Sequence, residues 1–270
     1  MLFLGGGVPL RVRATLLGIA ACLLASTPAR SQDPLKTLPD VYKLGFENEH
    51  VRVVRVRYEP HARLPAHDHP KGPTAYVYLN DGGPVVFKHI GLDYGEITRP
   101  ATVTGGVRLA RAVEEVHEVE NPNDAPSEFL RVEFKDLPAE AAHIRGKFLP
   151  EPHSPAENLS RVLFENGGLL ITRRTCVRAM PCELGSEGSA PLLLVALAGG
   201  RIARPGADPA PLAAGDSQWL TAGTRWVVEN QGENALEFLT FEFKRSSVTA
   251  SSIPASFISG VKVRAPASGR

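Results

Sequence analysis

Residues 106–135 read GVRLARAVEEVHEVENPNDAPSEFLRVEFK, and residues 215–244 read GDSQWLTAGTRWVVENQGENALEFLTFEFK. The two stretches align without a gap at an offset of 109 residues. Val119, Glu120 and Asn121 recur as Val228, Glu229 and Asn230, and Glu133, Phe134 and Lys135 as Glu242, Phe243 and Lys244. Glu128, Phe129 and Leu130 recur likewise as Glu237, Phe238 and Leu239. Further upstream, Phe46, Glu47 and Asn48 are echoed by Phe164, Glu165 and Asn166 at slightly different spacing. The unit is domain-sized, far longer than the roughly 20–50 residues of a solenoid repeat. The chain reads as a duplicated domain.

Each copy is patterned for strands. Leu130, Val132 and Phe134 alternate with Arg131, Glu133 and Lys135, as in a strand with one wet face. Val51, Val53, Val56 and Tyr58 alternate among arginines, with a bulge expected at Val53 and Val54. Residues 75–79 and 84–87 flank Asn80, Asp81, Gly82 and Gly83, a hairpin signal. Residues 192–197 form a continuous apolar run of strand length. Residues 139–147, after Pro138, are the best helix candidate and the expected link between the copies. The 23 prolines and 25 glycines spread along the chain fit short strands and many turns. An all-β barrel or jelly roll follows.

The first 31 residues read as a secretory signal rather than part of the fold. Arg11 and Arg13 precede an apolar stretch over 14–26, too short to span a bilayer, and Ala29 and Ser31 suit cleavage before Gln32. Ile19, Ala20, Ala21 and Cys22 also read as a lipobox, which would put a lipid on Cys22. The apolar run continues through Leu23 and Leu24, which favours the later cleavage. Export places the mature chain in the periplasm or outside the cell. Losing the signal removes three of the 30 basic residues and none of the 29 acidic ones, leaving 27 against 29. Such a chain has no basic excess for phosphates, so nucleic acid is not an expected partner. Cys176 and Cys182 remain; a disulfide and two buried thiols are both open. The residues from 246 to 270, rich in Ser, Ala and Pro, read as a loosely ordered tail.

Chemistry concentrates in one place. His67 and His69 are two residues apart, so on a strand they share a face. His117 lies in another strand-like stretch, four residues before Asn121. Three converging imidazoles suit a divalent transition metal such as Fe, Mn, Ni or Zn, with open positions for a ligand. Asp68 is expected to point away, Tyr76 and Tyr78 to be core or sheet-face aromatics with cavity lining as the alternative, and His50, His61, His89, His143 and His153 to be surface or turn residues. No serine-nucleophile elbow, phosphate-cradling loop or dinucleotide fingerprint is present.

These residues resemble the two sequence motifs of the cupin superfamily, Gly-x5-His-x-His-x3–4-Glu-x6-Gly and Gly-x5-Pro-x-Gly-x2-His-x3-Asn. The first keeps His67, His69 and Gly82, with His61 at the first glycine and Thr74 at the glutamate. The second keeps Gly106, His117 and Asn121, with Ala112 for the proline and Glu114 for the second glycine. The resemblance runs over roughly residues 40–245 and implies a bicupin: barrel one over 40–147 and barrel two over 153–245. In the second copy Gly215, Gly223 and Asn230 remain, but Trp226 replaces His117, and Glu183 and Gly185 align with His67 and His69. Indole offers no lone pair and glycine no side chain, so the second barrel is expected to be metal-free.

Three readings follow. One is a mononuclear metal-dependent oxygenase or isomerase acting on a small molecule. Another is a non-enzymatic exported protein that binds a small molecule or a metal; the last is a structural bicupin without metal. No catalytic residue is assignable beyond the metal ligands. No membrane span is expected in the mature chain, as a monomer or homodimer.

Overall fold

The structure is a computed structural model, in which the described residues are 33–244 without 70, 114, 139–140, 152–155, 186–189, 204–205 and 207. The expected signal over 1–31 with Cys22, the tail over 246–270 and His153 lie outside them. Among the described residues no helix is long and apolar enough to cross a membrane.

A single turn, α1 (Pro34–Thr37), opens the described chain, its first turn capped by the Asp33 carboxylate. Ten strands follow: β1 (Tyr42–Glu47), β2 (Val51–Tyr58), β3 (Arg63–Asp68), β4 (Thr74–Tyr78), β5 (Val85–His89), β6 (Glu96–Arg99), β7 (Val107–Ala110), β8 (Val116–Glu120), β9 (Ser127–Phe134) and β10 (Gly146–Phe148). Nine more repeat the pattern: β11 (Leu159–Glu165), β12 (Leu169–Cys176), β13 (Pro181–Glu183), β14 (Leu192–Ala196), β15 (Gly200–Ala203), β16 (Ala210–Leu212), β17 (Ser217–Leu220), β18 (Val227–Asn230) and β19 (Leu236–Phe243). They pair as β1-β2-β9-β4-β7-β10 with β3-β8-β5-β6, and as β11-β12-β19-β14-β17 with β13-β18-β15-β16. The fold is all-β, two tandem jelly-roll barrels.

The strict alternation of β9 explains how the barrels join. Leu130, Val132 and Phe134 point out of the first barrel into an apolar cluster that also holds Leu239, Phe241 and Phe243 of β19. The ring of Phe134 lies 5.9 Å from Phe241 and 6.0 Å from Phe243. Each such side chain fully buried stabilises by about 1.5–3 kcal/mol, so this shared core binds the two barrels together. The opposite face of β9 is not wet, as the sequence suggested. Arg131 and Glu133 are buried, 6% and 5% exposed, because that face looks into the barrel.

Polar contacts cross the same interface in both directions. Arg55, held by Glu128, donates to the Ala214 carbonyl of the second barrel at 3.0 Å. Arg173, held by Glu237, donates to the Gly105 carbonyl of the first. The two accepting turns carry Gly105 and Gly215 in the left-handed region, φ 76° and 87°. A Cβ on Gly215 would meet Leu79 at 2.9 Å.

The repeated asparagines are turn hardware. Asn48 Oδ1 accepts from the backbone N–H groups of His50 and Val51, and Asn166 Oδ1 from Gly168 and Leu169, all at 2.9 Å. Asn121 and Asn230 are wholly buried. Their amides donate to the carbonyls of Tyr58, Glu59 and Ala125 in one barrel, and of Cys176 and Asn234 in the other.

Several local expectations are corrected. Residues 142–145 are not helical, and Gly146–Phe148 pair with β7 as an edge strand. The 80–83 turn makes no hairpin, since β4 and β5 belong to different sheets; Asn80 instead ties the turn to Glu128 N and the Pro126 carbonyl. The bulge lies on β1, between Leu44 and Phe46, opposite Val53 and Val54. Those two valines are both buried because β2 has a core on each face. Strand pairing also breaks the ungapped repeat. Val77 pairs with Val107 and its counterpart Val195 with Ser217, an offset of 110 over that strand, before Asn121 and Asn230 restore 109.

Candidate metal centre

The sheet β3-β8-β5-β6 sets three histidines in a row. His117 on β8 stands opposite His67 on β3 and opposite His89 on β5. An irregularity between Leu64 and His67 re-aims the end of β3, and His69 follows just past it. His67, His69 and His117 are 1%, 7% and 2% exposed, with one ring nitrogen from each inside a 4.8 Å group. Their ring centroids are 4.9 to 5.1 Å apart.

Protonation follows from the partners. His67 Nδ1 lies 2.9 Å from the Pro65 carbonyl, which only accepts, so Nδ1 carries the hydrogen. Its Nε2 accepts from the Tyr42 hydroxyl at 2.7 Å, and Tyr42 is also 3.0 Å from the Tyr58 hydroxyl. Burial lowers the His67 pKa to about 4 and pulls those of His69 and His117 below the usual value too. All three rings are neutral near pH 7, as metal ligation requires. His69 Nε2 and both nitrogens of His117 are buried without a hydrogen-bond partner. Buried nitrogens left this way are costly unless something fills the space between them. The donor set fits a transition metal.

Thr74 supplies no carboxylate; its hydroxyl donates to the Gly72 carbonyl. Glu133, opposite Thr74 on β9, is committed to Arg52 at 2.7 Å and Arg131 at 3.1 Å. Glu115 lies 3.5 Å from His117 Nδ1 and 3.9 Å from His89 Nε2, so His89, Glu115 and His117 form a second group of metal-binding type. His89 is therefore not the surface residue expected, and its spacing with Val85 and Phe87, apolar residues on the same strand face, was the signal to read. His50 is buried as well, 2.5 Å from Asp136 and stacked on Trp219 across the interface. His61 and His143 are exposed as expected, and Asp68 is half-buried. His61 adopts φ 57°, the left-handed conformation for which a glycine was expected there.

Beside His117 opens a narrow cleft, whose inner space holds about 30 Å³ apart from its open mouth. Tyr76 and Tyr78 line it, the second of the two readings open for them, together with Arg99, Arg108, Arg131 and Phe129. Arg108 lies 3.9 Å over the Tyr76 ring.

The second barrel closes over the equivalent space. Leu184 N donates to the Trp226 carbonyl, which puts Leu184, not Glu183, at the position of His67. The shift arises because only β3 carries the irregularity. Leu184, Leu194, Leu236 and Phe238 fill this interior, and Cys176 and Cys182 form a disulfide within it.

No family model matches the chain, and no curated protein matches it by sequence. Solved structures do match in fold. A putative glyoxylate induced protein from Pseudomonas aeruginosa aligns over 77% of this chain and 80% of its own, with 13% identity and a TM-score of 0.52. The bacterial pirin YhhW from Escherichia coli, solved in complex with nickel(II), aligns over 75% and 90%, with 12% identity and a TM-score of 0.50. A cupin 2 conserved barrel domain protein from Leptotrichia buccalis aligns over 76% and 88%, with 12% identity and a TM-score of 0.47. At such identities the likeness is one of architecture. The chain has the two-barrel cupin fold.

Proposed function

We propose that the first barrel holds one divalent transition metal (Fe, Mn, Ni or Zn) through His67, His69 and His117, and that the protein is a mononuclear metal-dependent oxygenase or isomerase of a small molecule. The observation that carries this reading is the set of three neutral, buried imidazoles with ring nitrogens inside one 4.8 Å group, of which His69 Nε2 and both nitrogens of His117 lack a hydrogen-bond partner. A metal bound there supplies Lewis acidity and a template for ligand atoms. The chain's own residues do the rest. Tyr42 fixes the His67 ring, the wall of Tyr76, Tyr78 and Phe129 shields the cleft, and Glu115 stands beside His117 to orient it. The second barrel, without imidazole in its interior, serves as the packing partner.

The non-enzymatic alternative, capture of a small molecule or metal, is favoured by one feature. The Tyr42 hydroxyl occupies the His67 Nε2 lone pair, and Glu133 is committed to two arginines, so His67 must give up its bond to Tyr42 to ligate and binding would be weaker and reversible. Export to the periplasm or beyond is part of the proposal; the Cys176–Cys182 disulfide supports an oxidising compartment.

The test is elemental analysis of the native protein beside a His67→Ala, His69→Ala double variant. About one transition metal per chain, lost in the variant, is expected, followed by turnover on an oxygenase and isomerase panel. No metal after anaerobic reconstitution with Fe, Mn, Ni, Cu and Zn would sink the reading. Full loading with stoichiometric ligand retention and no turnover would select the binding protein.

A further inference from the structure

The cleft beside His117 has more positive charge than its own residues balance. Arg131 is buried against Glu133, and its Nη1 donates to the Tyr76 hydroxyl at 3.3 Å. Arg99 and Arg108, both half-buried, have no ion-pair partner among the described residues. Their contacts are aromatic or phenolic: Arg99 lies 4.8 Å over the Phe87 ring, and Arg108 lies over Tyr76 and donates to the Tyr78 hydroxyl at 3.4 Å. The carboxylate lining the cleft, Glu115, sits against His117 and His89 and attracts Arg99 without pairing with it, which leaves Arg108 without a counter-charge.

Holding two like charges side by side away from water is unfavourable unless a counter-charge completes the arrangement. Stacking on aromatic faces offsets only part of that cost. The field is strong enough to act on a phenol. Burial pushes the Tyr76 hydroxyl pKa up, yet Arg131, Arg108 and Arg99 together bring it below its usual value.

The fold does not require these charges. By strand pairing, the second barrel has Gln218 where the first has Arg108, Ala210 for Arg99 and Thr240 for Arg131. All three guanidiniums belong to the barrel with the histidines. Val85, Phe87, Pro100 and Phe129 give the wall an apolar patch beside the arginines, next to the hydroxyl-bearing Thr102 and Ser127.

We propose that this cleft binds a small organic anion, a carboxylate with an apolar body, which Arg99 and Arg108 engage while its body lies against Phe87 and Phe129. Fork-shaped guanidinium donors match a planar carboxylate, which accepts two parallel hydrogen bonds. The inference rests on the small-molecule reading above, but the anion subsite itself needs no metal.

Calorimetric titration of native, EDTA-treated and His67→Ala, His69→Ala protein with benzoate, acetate, benzamide and inorganic phosphate tests it. Benzoate should bind at least about tenfold more tightly than its neutral isostere benzamide. Arg99→Gln and Arg108→Gln should each weaken benzoate by about tenfold while leaving benzamide unchanged, with Arg108→Lys intermediate. Thermal melts of each variant show whether it is folded. Equal affinity for benzamide, native-like benzoate binding by the Arg99→Gln, Arg108→Gln double variant, or no binding of benzoate and acetate by native protein overturns the proposal. Phosphate binding more tightly than both carboxylates overturns its organic part. Benzoate binding that survives loss of the histidines, with no metal found in any preparation, keeps the anion site and discards the metal reading.

Discussion

The two barrels share a backbone plan and differ in what they enclose. Both use a buried asparagine to lock the end of the same strand, a left-handed glycine at the interface turn and an outward apolar stripe on the long central strand. Inside, the first barrel holds His67, His69, His117 and Arg131 among tyrosines, and the second holds leucines, Phe238 and a disulfide. Tyr58 occupies the position of Cys176, Tyr76 that of Leu194 and Tyr78 that of Ala196. Features present in both barrels are requirements of folding. Those found in one alone are not, since the second barrel shows that the fold stands without them, and they are where the proposed ligand site lies.

The strongest way to break this comparison is to truncate equivalent positions. His67→Ala should abolish metal loading at modest cost in stability. Leu184→Ala, at the matching place in the apolar barrel, should cost about 2–5 kcal/mol and leave the metal content unchanged. Metal analysis and urea titration read both; a Leu184→Ala protein without metal would mean the barrels do not divide structure from chemistry.

A comparison of the shared asparagines comes next. Asn121→Ala and Asn230→Ala each strand buried backbone carbonyls, and each should lower stability by about 3 kcal/mol. Equal losses measured by denaturant unfolding would mark the residue as structural in both settings. A loss confined to Asn121→Ala would tie it to the histidine site.

Removing the disulfide through Cys176→Ser and Cys182→Ser should cost about 2 kcal/mol, with metal affinity unaltered. Thermal melts with parallel metal titration decide this, and a weakened metal site would reveal coupling across the interface.

A last comparison is in acid. In the unfolded chain an imidazole takes its proton near pH 6.5, whereas folded His67 does so only near about 4 and His69 and His117 also below the usual value. Between those values the unfolded state binds more protons, so their contribution to the metal-free protein is complete above about pH 6.5 and fades as pH falls towards about 4. Replacing all three by leucine should flatten the decline in urea midpoint over that window. An unchanged slope would place the acid sensitivity elsewhere.

The sequence yielded the duplication, the strands and the three histidines because each depends on short-range pattern: a repeat, an alternation, an i, i+2 spacing. It failed where the outcome depended on which sheet lay behind a residue. Alternation on β9 marks a polar face, yet a solvated face and a polar barrel interior look alike until the second sheet is in place, so Arg131 was misread. Arg99 and Arg108 were missed for the same reason. The Asn80–Gly83 turn has hairpin composition, but the choice between closing a hairpin and crossing to another sheet is made by partners some 45 residues away, at Pro126 and Glu128. His89 was recoverable, since it extends the spacing of Val85 and Phe87; Glu115 was not, because its reach to His117 depends on the local path into β8.

The reciprocal arginine contacts have an evolutionary consequence. Arg55 reaching into the second barrel and Arg173 reaching into the first are what a two-fold homodimer makes at its interface, here within one chain. A true homodimer has one sequence for both halves, so a mutation that spoils one pocket spoils both. Once the halves are fused, each can drift separately while the interface is kept. Here one copy keeps a cleft lined by histidine and arginines and the other is filled with apolar side chains, a difference that no symmetric dimer of identical chains can reach.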